Sequence, residues 1–181
     1  QASTYLPKDS TAAAVYRFVK DHYDNNPDKN NWEWTRHAVF SRYQLGNEDG
    51  YSYSEPFDAV INFAASLVSL FYGEGDIVRT LQIGTLAGWD SDNPTATWGG
   101  LLGFILGKQG VEQAFTQNNL SDTFWIHRTR RNFPDYLPNQ KGDITLQAMS
   151  KMGVEVVDRV IEERMGGSVS KHSNHWSIPI H

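Results

Sequence analysis

Asp90 and Asp92 stand two residues apart in the stretch Ala87-Gly88-Trp89-Asp90-Ser91-Asp92-Asn93-Pro94-Thr95-Ala96-Thr97-Trp98-Gly99-Gly100. Carboxylates, an amide and hydroxyls crowded at a helix start are oxygen donors for a hard cation such as Mg²⁺, Mn²⁺ or Ca²⁺. A loop entering a helix presents residues i and i+2 on one side, so both carboxylates can reach one cation or two adjacent ones. Asn93, Ser91, Thr95 and Thr97 can add oxygen ligands or outer contacts. The same residues also read as a helix cap, with Asp92 at the positive end of the helix dipole. The EF-hand pattern is excluded, because its glycine and later glutamate are missing. Trp89 and Trp98 flank the acidic loop. Indole rings beside a polar pocket stack on sugar rings, and they equally fill cores.

Other groups carry less. Glu74 and Asp76 in Tyr72-Gly73-Glu74-Gly75-Asp76 read as a sharp turn followed by an N-cap. His127-Arg128-Thr129-Arg130-Arg131 is a basic cluster, suited to a phosphate or carboxylate, or to a solvated face. His172 and His175 lie in a polar tail and form no zinc motif.

Helices must position these side chains. Residues 10–24 repeat Ala13, Tyr16, Val19 and Tyr23 at helical spacing, with Ser10 or Thr11 as cap. A second helix is predicted over 31–44. A third is capped by Ser54, with Pro56 near its first turn and Gly73 past its end, and it is apolar on nearly every side. Asp76 caps a fourth helix running to Leu86, and Pro94 opens a fifth reaching about Lys108. Gly99, Gly100 and Gly103 each cost about 1 kcal/mol inside that helix, which predicts close approach of another backbone. Residues 110–141 read mainly as loop with one short helix, and 144–164 return to a clean helical period. Minor strands are predicted at Val169 and near Ile144.

Composition narrows the class. A chain of 181 residues can bury a substantial core, and 39% hydrophobic content suits a folded globule. A net charge of −5 leaves no electrostatic footprint for nucleic acid. No apolar run is long enough to span a bilayer, so no membrane partner is expected. The absence of cysteine excludes disulfides, thiolate zinc sites and a cysteine nucleophile. The opening at Gln1 and the sequon Asn119-Leu120-Ser121 point to a secreted, processed glycoprotein, with the cytoplasm as the alternative.

From Ala87 to Asp92, and again from Thr97 through Gly99, Gly100 and Gly103, the chain resembles the ADP-ribosylglycohydrolase family. That family carries Gly-x-Asp-Thr-Asp, then small residues, then Gly-x-x-x-Gly. Tyr72-Gly73-Glu74-Gly75-Asp76-Ile77 resembles the family's turn one helix upstream, and Met165-Gly166-Gly167 resembles its C-terminal end. The resemblance implies an all-α, compact multi-helix globule with a binuclear Mg²⁺ site (Mn²⁺ in some members). Asp90 and Asp92 would be metal ligands. Asn93 stands where the family usually has Thr or Ser, and offers a neutral oxygen to one or two ions.

The family's other acidic ligands and its usual catalytic acid belong to the N-terminal half, and nothing in residues 1–50 matches them. Asn47-Glu48-Asp49-Gly50 reads as a surface turn. The expectation is a C-terminal part of the family domain over 1–167, with 168–181 as a tail and the catalytic residues on a second chain carrying the N-terminal half. Such a half-domain would expose the apolar face of the helix at 55–72 and would not be stable alone.

The expected function is metal-dependent hydrolysis of an N- or O-glycosidic bond at a ribose-like sugar, from a small glycoside or nucleotide-sugar substrate. Trp89, Trp98 and Ser91 are the candidate substrate contacts. If the protein is secreted, an extracellular furanoside is the better substrate than protein-linked ADP-ribose. The alternatives are a non-catalytic sugar-binding protein on the same fold and a plain helical interaction domain.

Overall fold

The computed structural model describes residues 2–48, 50–116, 120–124 and 144–180. The chain divides into two compact units, Gln1–Asn119 and Leu120–His181, whereas the sequence suggested a division at 167/168. Helix is the main regular structure among the described residues of both, as expected of an all-α protein.

In the first unit, α1 (Thr11–Asn25) begins as predicted: Ser10 Oγ accepts the Ala13 N–H at 3.2 Å. Its buried face carries Ala13, Val15 and Val19. α2 (Glu33–Val39) does not run as one regular helix to residue 44. It widens into a π-helical turn over Phe40–Leu45, closed by the Gly46 N–H to Ser41 O at 2.9 Å. Tyr43 from this turn is fully buried.

α3 (Ala59–Gly73) is the centre of the core. Ile61, Ala64, Leu67, Val68 and Tyr72 join Val15, Val19, Val39 and Ile83 in one apolar cluster. Two expectations are corrected here. Ser54 does not cap this helix: Asp58 holds the cap position, and its carboxylate instead accepts the Ser54 and Glu55 N–H groups at 2.7 and 3.1 Å. Nor is the apolar face of 55–72 exposed, because α1, α2, α4 and α5 all pack on α3. Exposed apolar side chains of this unit lie mostly outside that helix: Leu101, Phe104 and Ile105 cluster on α5, with Leu45, Phe57 and Leu86 elsewhere.

The buried polar groups around Tyr72 are paired. The Tyr72 hydroxyl lies 2.6 Å from Thr35 Oγ1 and accepts Asn26 Nδ2 at 2.8 Å. Asn26 Nδ2 also donates to Asn31 O, which locks the turn between α1 and α2.

α4 (Ile77–Leu86) starts at Asp76, whose Oδ1 accepts the Arg79 N–H at 2.8 Å. Glu74 and Gly75 before it take left-handed φ values of 51° and 87°, so this turn does the structural work its sequence suggested. α5 (Asp92–Ala114) breaks at Gly107 (φ 65°, ψ 173°), close to its predicted end at Lys108, and a short helical stretch follows to Ala114. Its glycines do not admit another backbone. A Cβ at Gly99 would meet the Leu81 side chain, one at Gly103 the Val111 side chain, and one at Gly100 nothing.

In the second unit, β1 (Thr123–Phe124) pairs antiparallel with β2 (Ile144–Thr145), which leads into α6 (Leu146–Arg164). Thr145 Oγ1 caps α6 by accepting the Ala148 N–H at 3.0 Å. The expected tail is a hairpin, β3 (Ser168–Ser170) with β4 (His175–Ser177), in which Val169 faces Trp176. Its anchor on α6 is the Trp176 indole N–H, which donates to Asp158 Oδ1 at 2.9 Å. The expected strands at Val169 and Ile144 are both present.

Candidate functional site

The loop Ala87–Ser91 joins α4 to α5 through two consecutive left-handed residues, Gly88 (φ 94°) and Trp89 (φ 57°). Glycine takes that conformation freely, whereas a residue with a Cβ pays about 1–2 kcal/mol for it. Contacts from α2 and its π-turn hold Trp89 there. Its indole N–H donates to Gln44 Oε1 at 2.8 Å, and the Arg36 guanidinium stacks 4.5 Å from the ring centroid. Arg36 Nε also donates to Ala87 O at 2.9 Å.

The chain then reaches Asp90. Its backbone N–H donates to Asn62 Oδ1 on α3 at 2.9 Å, and its carbonyl accepts the Asn93 N–H at 3.1 Å as α5 begins. Ser91, and not Asp92, occupies the cap position, without a side-chain cap bond. Thr95 Oγ1 turns back to Asp92 O at 2.8 Å, so this hydroxyl is spent on the helix's own first turn. One turn on, the Trp98 indole N–H donates to Ser66 O on α3 at 2.9 Å.

This places the Asp92 carboxylate within hydrogen-bonding reach of the Asp90 carboxylate. That contact pushes the Asp90 carboxyl above its ordinary value, and desolvation and the Asp92 charge add to the shift. Asp90 is half-buried, while Asp92 and Asn93 are exposed. Two adjacent carboxylates that repel each other suit a divalent cation, whose charge offsets theirs. Among the described residues, no group of three or more His, Asp or Glu side chains converges. The rest of a coordination sphere of about six oxygens would come from neutral donors such as Asn93, from water or from substrate.

Of the residues singled out in the sequence, Asp90, Ser91, Asp92 and Asn93 therefore sit together on one exposed turn. Trp89 and Trp98 flank it, with their indole N–H groups committed to Gln44 and Ser66. Glu74 is not part of the site: its Oε1 accepts the Tyr23 hydroxyl at 2.7 Å, which helps push that phenol up to about 12. Asn119 and the cluster His127–Arg131 lie outside the described residues.

Sequence reasoning missed Asn62, Arg36 and Gln44. The one signal available was Asn62 itself, a lone amide in the apolar run Val60-Ile61-Asn62-Phe63-Ala64. Arg36 and Gln44 meet the loop only through tertiary packing.

The sequence model of a family described as ADP-ribosylglycohydrolase matches residues 2–142. A match that starts at residue 2 does not bear out the expectation of a C-terminal part alone. No curated protein and no solved structure matches the chain.

Proposed function

The chain belongs to the ADP-ribosylglycohydrolase family, and on that premise we propose that it hydrolyses an N- or O-glycosidic bond at a ribose-like sugar with the help of a divalent cation. The observation that carries this reading is the contact between the Asp90 and Asp92 carboxylates on an exposed turn. Asp90 and Asp92 would hold the ion, with Asn93 as a neutral oxygen donor. Bound there, Mg²⁺ or Mn²⁺ would supply Lewis-acid stabilisation and orient the sugar's hydroxyls and a water molecule.

The chain's own residues supply the preorganisation. Arg36 and Gln44 lock the left-handed turn ahead of Asp90, and Trp98 ties α5 to α3. A carboxylate pair fixed in this way needs little rearrangement to accept a cation. A bound cation would offset the repulsion between the two carboxylates, and Asp92 is the more exposed of the two.

The test is hydrolysis of a substrate panel, ADP-ribosylated peptides and nitrophenyl furanosides, with Mg²⁺ and with a chelator. The expected result is turnover that requires the ion and is lost in Asp90→Asn. Saturable binding of ADP-ribose without turnover would favour the non-catalytic sugar-binding reading. Turnover unchanged in Asp90→Asn would overturn the assignment of the ion to this loop.

A further inference from the structure

We infer that Asn62 is the positioning residue of the acidic loop: from the buried side of α3 it fixes the backbone of Asp90, and through it the placement of the Asp90–Asp92 pair. The role in cation binding rests on the reading above; the tether itself does not.

Asn62 is 9% exposed and sits in the first turn of a mostly apolar helix. A primary amide at such a place is unfavourable unless its donors and acceptor are matched. Here they are. Nδ2 donates to Pro56 O at 2.7 Å and to Asp58 O at 2.9 Å, and Oδ1 accepts the Asp90 N–H at 2.9 Å. The Asp90 N–H precedes α5 and so has no partner within a helix. Asn62 supplies that partner across 28 residues of sequence. A leucine of similar volume would fill the space but leave three backbone groups without this partner.

The other contacts act elsewhere on the loop. Arg36 and Gln44 hold Ala87 and Trp89, on the side before the acidic residues, and Trp98 holds α5 beyond them. Among the described hydrogen bonds, the one from Asn62 is what holds Asp90 to another helix. It also joins the loop to the turn at Ser54–Asp58, which the Asp58 carboxylate closes.

The experiment is amide hydrogen exchange by NMR on the full chain, wild type and Asn62→Ala, with Mn²⁺ binding followed by electron paramagnetic resonance. In the wild type the Asp90 amide is expected to exchange about 100-fold or more slowly than an open loop amide. In Asn62→Ala that protection is expected to vanish, while amides of Val68 and Ile83 stay protected. Mn²⁺ affinity is expected to fall about tenfold, as loss of one preorganising contact should give. A freely exchanging Asp90 amide in the wild type overturns the tether, and that measurement decides the matter even if the variant does not fold. Protection and Mn²⁺ affinity both unchanged in Asn62→Ala overturn it too. A protected Asp90 amide, released by Asn62→Ala in a wild type that binds no Mn²⁺, supports the tether and refutes the cation reading alone.

Discussion

Gly73, the last residue of α3, lies directly against Thr80 of α4: a Cβ added at Gly73 would stand 2.8 Å from Thr80 Cβ and 2.9 Å from its Cα. This is the close approach that the glycines of α5 were expected to provide. Backbone cannot yield as a flexible side chain can, so Gly73→Ala must push α3 and α4 apart. The expected cost is about 3 kcal/mol, the upper range for overpacking a tight core. Urea unfolding at equilibrium checks it. Gly100→Ala, which meets open space in a helix, is the control and should stabilise by up to about 1 kcal/mol.

Arg36 serves the loop twice, through its bond to Ala87 O and its stacking on Trp89. Arg36→Ala should therefore cost about 2–4 kcal/mol, the sum of a charged hydrogen bond and a partly desolvated cation–π contact. It should also change the fluorescence of Trp89, most clearly when the other tryptophans are replaced by phenylalanine. Arg36→Lys should not restore stability, because an ammonium cannot both stack flat and donate sideways.

His22 sets a pH limit on the fold. Its Nδ1 is buried without a hydrogen-bond partner, and its ring packs on Phe18 and Trp34. Burial pushes its pKa below the ordinary 6.5; the nearby Asp21 charge opposes the shift and Arg42 adds to it. With the folded value depressed, the unfolded chain binds the proton first. Stability should then fall as pH drops below 6.5 and level off once the folded form is also protonated. Denaturant midpoints across that window should show the loss in the wild type and a flatter profile in His22→Phe.

The Asp90–Asp92 contact has the opposite sign. A carboxyl raised above its ordinary 3.8 in the folded state weakens the fold at neutral pH, and the penalty lifts as pH falls through the raised value. Asp92→Asn removes the charge and replaces an acceptor with a donor. The Asp90 carboxyl should then titrate lower, which NMR of its side-chain carbon would show, and the melting temperature without metal should rise. A fall in that temperature would mean that the pair is a structural asset, not a strained site awaiting a cation.

Legibility followed the range of the interaction that decides each feature. Ser10 and Asp76 cap through groups three residues away, so the starts of α1 and α4 were readable. The all-round apolar character of α3 correctly signalled burial, yet the inference that one face would stand bare failed, because four helices cover it. Ser54 looked like a cap by residue type; Asp58, four residues on, captures its N–H and takes over the position. The π-helical turn at Phe40–Leu45 has no composition signal, and it carries Gln44, which secures Trp89. The acidic loop itself was evident from Asp90 and Asp92, but its supports, Asn62 and Arg36, are remote in sequence and meet it only in the folded chain.

The central claim is that Asp90 and Asp92 together form a divalent-cation site, and calorimetric titration of the full chain with Mn²⁺ tests it most directly. The account predicts saturable binding in the wild type, abolished in Asp90→Asn and in Asp92→Asn, with both variants folded. Wild type that takes up no Mn²⁺, or variants that bind it as tightly as the wild type, would contradict the claim and leave this loop as a helix connection.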